Sequence, residues 1–542
     1  MKGVRHSLSA AVAAFLVLLV GCYPVRQRAA RHPTRAATEV EEALALRVEH
    51  WEPADAFRKP TPIERTVEAR LTAGLGTAAA SDEVDCIARE TAAFFGRYRA
   101  LPDEILQLWL AGYCGAPASP FFTLWMERDI PAAGDPNPLG PVEAQWLDAL
   151  KRAAPSLRFG VGAGLRASRL VVVVSMTFPS VEVHRRGPDE NGLVRLEGHL
   201  LEDADVLRAV INQGATGTAA CTNDDTVELP EFDITCQMAA GDHHAFIDLI
   251  AGTGQMLEGP VGQVLARRRD AHVYQRPIVR LPRRSDPVTA LVDGINVLRA
   301  HAGLGELRRE FAEMRLMSSL YPAAFRADTE NDQDSLNRFY DELHAGRAVS
   351  GILRWSSTYH QIAYAGNASD WLAKMLFLPG SRETLFMPRA ESIALLTHVE
   401  PGVGFGAAIA TYSFFRDSDD TERAKLVYDT LRRLRTEDGV TTTLLDPPEE
   451  LVLEAQRVKK GELPPDEALR SALAAINAHS KRTFTGVWFR VPWNADPENL
   501  PEPLFEPETL ECAIVSTHRK PPDHAWGEQV VFVVYPISGK PA

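Results

Sequence analysis

Apolar positions along this chain change period several times, and each change marks a new element. In "SDEVDCIARETAAFFGRYRA", residues 81–100, a stripe of Val84, Ile87, Ala88, Phe94 and Phe95 follows Ser81 or Asp82 as cap and an acidic first turn, which predicts a helix. Helices are also expected in "LPDEILQLWLAGYCG" and in "GPVEAQWLDALKRAAP", where Pro141 suits the first turn. The period then drops to that of a sheet. "LRFGVGAGLRASRLVVVVSMTF" predicts two strands about a short turn, the second so uniformly apolar that both its faces must be covered. Short β-like runs continue through 179–275, among them "GLVRLEGHLL" and "HHAFIDLIAG", and Gly, Asp and Asn turns between them predict a β-rich, sandwich-like domain.

A linker is expected at 276–287. Beyond it, "TALVDGINVLRAHAG" predicts a helix that stops at Gly303-Leu304-Gly305 and restarts at once as "ELRREFAEMRLMSSLYPAAF". "QDSLNRFYDELHAG" and "NASDWLAKMLFLPG" add helices, and "PGVGFGAAIATYSFF" reads as a pair of strands. The tail repeats that order, with helices in "DTERAKLVYDTLRRLRTEDG" and "PDEALRSALAAINAHS" and strands in "FTGVWFRV", "LECAIVSTHRK" and "EQVVFVVYPIS". Three helical stretches thus each end in two apolar strands, which predicts three related α/β modules. The fold class expected is α+β and multidomain, with modules at 61–178, 286–416 and 421–538 and the β-rich domain at 179–275.

A length of 542 residues gives room for several cores. Apolar residues at 45% and charged residues at 24% are ordinary for globular chains. The net charge of −14 argues against affinity for nucleic acid, and no zinc-finger, RNP or basic-helix pattern reverses that.

Residues 1–22 change the picture more. Lys2 and Arg5 precede the apolar run "LSAAVAAFLVLLVGC", short for a spanning helix but suited to a signal peptide. Its end, Leu19-Val20-Gly21-Cys22, resembles a bacterial lipobox, which implies cleavage before Cys22 and a diacylglycerol on its thiol. An ordinary secretory signal, or an anchor helix whose Cys is incidental, is the alternative. Tyr23 follows where Asp is associated with inner-membrane retention, so an outer-membrane lipoprotein is expected, with residues 23–60 as its tether. In an oxidising compartment Cys86 with Cys114 and Cys221 with Cys236 are the expected disulfides, leaving Cys512 as a buried thiol.

The middle module carries a family resemblance. "LVDGINVLRAHAGLGEL" resembles the opening helix of the CAP superfamily, the SCP-like domains of cysteine-rich secretory proteins, through Asn296, Arg299, Gly303, Leu304 and Leu307. "HQIAYAGNASDWL" is similar to the family's Glu-Asn-Ile-Ala segment and the Trp after it, here Trp371. "LPGSRETLFMPRAESIALLTHVEPGVGFG" matches its Ser-Pro-Gly-His-Arg stretch and Gly-Val-Gly strand through Gly380, Arg382, Gly402 and Gly404. The resemblance covers about 130 residues and implies an αβα sandwich. Many members hold two His and two Glu in a cleft, able to bind a divalent metal. Here Ser318 stands near one His position, Ser381 on the other, and His360 in place of a Glu. With three of four groups replaced, no metal or cofactor is expected.

Other chemistry is thin. No GxSxG, HExxH, P-loop or dinucleotide fingerprint is present, and "GVGAG" at 160–164 leads into a strand where a nucleotide loop needs a helix. Asp328, Glu330, Asp332 and Asp334 alternate like a calcium loop but lack its Gly and its closing Glu, so a solvated loop capping the next helix is expected. His243 and His244 would face opposite ways on a strand. The function expected is non-catalytic: a lipid-anchored envelope protein that binds a protein partner or an apolar ligand. The alternatives are an envelope hydrolase with a cleft near Ser318, His360 and Ser381, and a structural spacer.

Overall fold

The computed structural model describes residues 34–35 and most of the chain from 47 to 537, the longest gaps being 131–137 and 492–499. Cys22 lies outside the described residues, as does Gly402. The architecture is mixed: helices with several largely antiparallel sheets, none of them a closed barrel among the described residues.

The expected tether is partly structure. β1 (Thr34–Arg35) and β2 (Arg47–Trp51) form a three-stranded sheet with a strand far along the chain, and Trp51 is buried, its indole N–H donating to Glu90. The first module follows as α1 (Pro62–Leu75), β3 (Ala79–Ala80), α2 (Asp82–Tyr98), α3 (Glu104–Cys114), β4 (Phe122–Asp129), α4 (Val142–Lys151) and the hairpin β5 (Arg158–Arg166) to β6 (Arg169–Thr177). The sequence reading missed α1 and β4. Ser81 caps α2 as expected, accepting from the Val84 N–H, and Cys86–Cys114 ties α2 to α3. α1 and α4 cover one face of the sheet through Val67, Leu71 and Trp146, while α2 covers the other through Ala88, Ala92 and Phe95.

"GVGAG" has its account here. A Cβ on Gly160 would lie 2.1 Å from the Asp85 amide nitrogen, and one on Gly162 would lie 2.2 Å from the Ala88 carbonyl carbon. Alternate glycines therefore let the α2 backbone rest directly on β5. Because β3 pairs with only two residues of β5, the rest of that edge is closed by carboxylates: Asp85 accepts from the Val161 N–H at 2.7 Å and Glu64 from the Ala163 N–H at 2.8 Å.

The β-rich domain is a sandwich of two four-stranded sheets. β7 (Val181–Arg186), β8 (Leu193–Leu200), β12 (Glu231–Gln237) and β11 (Thr222–Asn223) form one; β10 (Gly217–Ala220), β9 (Val206–Gln213), β13 (His244–Thr253) and β14 (Met256–Arg267) form the other. Inward side chains such as Leu196, Ile234, Ile211 and Ile247 fill the space between, and Cys221–Cys236 ties the crossing from β10 to β11 to strand β12. The expected linker begins as β15 (Tyr274–Ile278), which pairs with β2.

The second module runs α5 (Pro287–His301), β16 (Arg308–Arg309), α6 (Phe311–Ser318), α7 (Tyr321–Glu330), α8 (Gln333–Ala345), β17 (Leu353–Ala363), α9 (Ala368–Met375), α10 (Pro379–Phe386), β18 (Ser392–Glu400) and β19 (Gly404–Phe414). Two expectations change. The helix does not restart directly after Gly303, whose φ of 72° turns the chain into edge strand β16 before α6 begins. The closing hairpin pairs β18 with β19, so "PGVGFGAAIATYSFF" supplies one strand and not two. Asp332 caps α8 as expected of the acidic stretch, but that stretch is not a loop: Asp328 and Glu330 belong to α7 and Asp334 to α8. α5, α9 and α10 cover one face of the sheet with Leu291, Trp371 and Leu385, and α6 to α8 cover the other with Met317, Phe325 and Leu343, an αβα layering.

The third module comprises α11 (Asp417–Glu437), β20 (Thr441–Leu444), α12 (Glu449–Lys459), α13 (Pro465–His479), β21 (Phe484–Val491), β22 (Thr509–Arg519) and β23 (Glu528–Pro536). Cys512 is a buried free thiol, pushed up to about 11 by that burial.

The three module sheets share one strand order: β3-β5-β6-β4, β16-β18-β19-β17 and β20-β22-β23-β21. In each, a short first strand runs parallel to the third, the third and fourth form an antiparallel hairpin, and the second flanks the fourth. A side-chain device recurs too. Arg299, near the end of α5, is fully buried and donates to the carbonyls of Gly305, Leu385, Met387 and Ala390. Arg435, near the end of α11, is buried likewise and donates to the Thr442 hydroxyl and the carbonyls of Leu504 and Pro507. Each guanidinium ties an opening helix to the segment before the closing hairpin.

Candidate functional site

The family-like segments of the second module sort into two structural jobs. The first is the corner after α5. Asn296 accepts from the Leu307 N–H at 2.9 Å and donates to the Leu307 carbonyl at 3.2 Å, and Arg299 makes the carbonyl contacts given above. Burial lowers Arg299 to about 10, still above neutral pH, so the side chain stays a cation held by carbonyl dipoles. Gly303 supplies the turn and Trp371 fills the core beneath α5.

The second job belongs to α10 and the residues leading into it, which are gripped by the sandwich. Asp248 on β13 reaches across to accept the Gly380 N–H at 2.8 Å in the first turn of α10, and its other oxygen accepts from Gln263 at 2.9 Å. A carboxylate there meets the positive end of the helix. Asn212 donates to the Phe377 carbonyl at 2.7 Å, Arg208 pairs with Glu383, and Arg382 donates to the Gly214 carbonyl at 2.9 Å. Around these polar contacts Phe377 and Leu378 pack with Phe246, Leu265 and Trp109.

Burial raises Asp248 to about 6, against the lowering pull of its two hydrogen bonds, and burial lowers His244 on the same strand to about 4. A carboxyl raised in the folded state contributes stability that is present below its unfolded value near 4 and lost as pH rises through about 6. Asp248→Asn should therefore exceed wild type in stability at pH about 7.5 by roughly 2 kcal/mol and converge with it below pH about 4. Thermal melts of both proteins across that window check this. His244 acts oppositely in both and cancels in the difference. Parallel pH profiles for the two proteins would remove Asp248 from the account.

The residues proposed for a hydrolytic cleft are not brought together. Ser318, at the end of α6, is exposed and its hydroxyl donates to the Arg315 carbonyl. Ser381, in α10, is fully buried, and its hydroxyl lies 2.5 and 2.9 Å from the carbonyls of Met375 and Leu378. α6 and α10 cover opposite faces of one sheet, so these hydroxyls cannot serve one reacting atom. His360 lies on β17 opposite Ala408. Gly404 begins β19 and pairs with Glu400.

Two further sets had no sequence signal. Ser356 Oγ sits 2.8 Å from His344 Nδ1 and 2.8 Å from the His344 carbonyl, but Ser356 is buried and burial lowers His344 to about 4, too low for a general base near neutrality. Asp417, Asp420 and His518 place ligand atoms within 4.8 Å of one another. The Lys459 ammonium already bridges those carboxylates, at 2.7 Å from Asp417 and 3.0 Å from Asp420. It takes the place a metal cation would need.

The sandwich residues that grip α10 were also missed. One clue exists: in "HHAFIDLIAG" apolar residues occupy both faces of the strand, so Asp248 had to be buried and partnered.

No family model matches the chain, and no curated protein matches it. Among solved structures, an extracellular protein containing an SCP domain from Bacillus anthracis aligns at 12% identity over 43% of this chain and 67% of that one, with a TM-score of 0.19. A cysteine-rich secretory protein from Staphylococcus aureus aligns at 13% identity over 42% of this chain and 66% of that one, with a TM-score of 0.18. Both superpositions are too loose to inform the fold. No helix among the described residues is long and apolar enough to cross a membrane.

Proposed function

We propose that this is an exported bacterial lipoprotein, anchored through Cys22, whose degenerate CAP-like module serves as a non-catalytic scaffold for binding a protein partner or an apolar ligand. The observation that carries the non-catalytic reading is the fate of the Gly380-Ser381-Arg382 stretch. Gly380 is capped by Asp248, Ser381 is buried, and Arg382 is spent on sandwich carbonyls, so what resembles a catalytic segment is consumed by domain docking. The two disulfides fit an oxidising compartment outside the cytoplasm. The residues that carry the family resemblance, Asn296, Arg299 and Trp371, all have structural work, which a binding scaffold keeps and a dead enzyme need not lose.

The test is native mass spectrometry of the protein recovered from the envelope, compared with the denatured sample and combined with crosslinked capture from membranes. A mass excess lost on denaturation, or one specific captured partner, is the expected result. A bare chain with no partner would favour the spacer reading. Hydrolysis of model esters should be absent and unaffected by Ser318→Ala, Ser381→Ala or His360→Ala. Turnover abolished by any of these in a folded variant would favour the hydrolase instead.

A further inference from the structure

The sheet of the third module ends on β21, and the backbone along the outer side of that strand is open. Its first residue fixes the phase of the ladder. The Phe484 N–H donates to the Asn477 side-chain oxygen at 2.6 Å and the Asn477 amide donates back to the Phe484 carbonyl at 3.0 Å, so both backbone groups point away from β23. The Ile537 N–H donates to the Thr483 carbonyl at 2.8 Å, which puts the inward rungs on the odd-numbered residues. Pairing with β23 then runs without a bulge to Val491, so Gly486, Trp488 and Arg490 repeat the outward phase of Phe484. Among the described residues no strand pairs with that side of β21, and no hydrogen bond reaches the backbone of those three residues from it.

Sheet edges are normally blunted by charge or by cover, and the equivalent strands of the other modules follow that rule. β4 ends in Glu127-Arg128-Asp129, and the Leu353 carbonyl at the start of β17 is taken by the Gly527 N–H at 2.7 Å. β21 reads "FTGVWFRV", with a single charge at Arg490. Residues 484–489 are half-buried. Phe484 and Trp488 lean on the cluster beneath α12 and α13, and Val487 and Phe489 on the cluster beneath α11, so apolar side chains flank the open edge on both faces of the sheet.

We propose that β21 takes up an extended peptide of a protein partner as a fifth strand of this four-stranded sheet, bonded to the backbones of Gly486, Trp488 and Arg490. Its side chains would be uncharged, lying beside Trp488 on one face and beside Val487 and Phe489 on the other. The free groups specify that occupant, since donors and acceptors repeating every second residue along an edge match another extended backbone. A second copy of this chain fits less well. α13 runs over β21, where its Leu469 would lie 3.3 Å from a Cβ on Gly486. Joining two copies edge to edge would bring two such helices to one strand spacing, where packed helices need about 8–10 Å. A lone peptide brings no helix with it. The assignment rests on the protein-binding reading and gives it a place in the fold.

The experiment uses the full chain recovered from the envelope and, as probe, a dye-labelled peptide of alternating valine and threonine about seven residues long, enough to span Gly486 to Arg490. Binding is read by fluorescence anisotropy and by residue-resolved hydrogen exchange. Exchange is expected to slow at Gly486, Trp488 and Arg490 when the peptide binds, while Thr485, Val487 and Phe489, already bonded to β23, hardly change. The same peptide N-methylated throughout keeps its side chains, loses every backbone donor and should not bind. Arg490→Pro removes an outward N–H without touching the ladder to β23 and should weaken binding at least about tenfold. Arg490→Ala loses the same pairing with Glu528 but keeps the N–H, and should bind like wild type. Should Arg490→Pro fold poorly, the N-methylated peptide carries the comparison by itself. No binding at about 1 mM peptide, equal binding of the N-methylated peptide, or slowed exchange without the alternation would overturn the proposal. So would a dimer in analytical ultracentrifugation that Arg490→Pro dissolves, since a second copy would then hold the edge. Partner capture that Arg490→Pro leaves intact would sink this site while the protein-binding reading stood.

Discussion

Gly162→Ala is expected to cost the first module at least about 3 kcal/mol, a large loss for removing nothing and adding one methyl. The added carbon would sit 2.2 Å from the Ala88 backbone, and backbone cannot rotate away as a side chain tip can. α2 would have to lift from β5 by more than an ångström. It is held down by the Cys86–Cys114 bridge and by the Asp85 bond to Val161, so the strain has little outlet. Gly160→Ala should behave alike, whereas Gly164→Ala, whose Cβ would meet nothing nearer than 3.4 Å, should cost far less. Hydrogen exchange of α2 and chemical denaturation measure the difference. Equal, small losses at all three positions would show that the helix rides higher than described.

Arg299→Ala should be comparably severe, on the order of 3–5 kcal/mol, because truncation removes a buried cation's bonds to four carbonyls, of which only Met387 has a further donor, the Ala390 N–H. Arg299→Lys should recover less than half, since one ammonium cannot reach carbonyls spread over the Gly305 turn and the Leu385–Ala390 segment. Arg435→Ala is expected to lose a similar amount in the third module. Segment-resolved hydrogen exchange locates each loss: near α5 and β18 for Arg299, near α11 and β22 for Arg435. If Arg435→Ala were neutral, the shared strand order would not extend to a shared way of holding the module together.

How far these features were legible depended on their chemistry. Helices with a clear apolar stripe, such as α2 and α11, were read directly, and so were hairpin strands like β6 and β23 that are apolar on both faces. The edge strands β4 and β17 were not. β17 reads "LRWSSTYHQIA", where polar residues dilute the alternation because one flank of an edge strand needs no cover. The short strands β16 and β20, of two and four residues, are defined by parallel pairing with a partner far along the chain and carry no local pattern. The same limit applied to the site. Asn296 and Arg299 were picked out by resemblance, but their work lies in backbone contacts that no spacing announces. The grip of Asp248 on Gly380 joins positions in two different domains, and neither stretch alone points to the other.

That separation along the chain has a consequence for assembly. All strands of the sandwich lie before residue 268, yet the element that covers its outer sheet, α10, begins at Pro379. During synthesis or passage across a membrane from the N-terminus, the sandwich can close while Asp248 and Phe246 still lack their later partners, Gly380 and Phe377. For the time it takes to add more than a hundred residues, the newborn chain displays an apolar surface that the finished protein hides. A chaperone that recognises this protein has its natural target there, and its hold should end when α10 arrives.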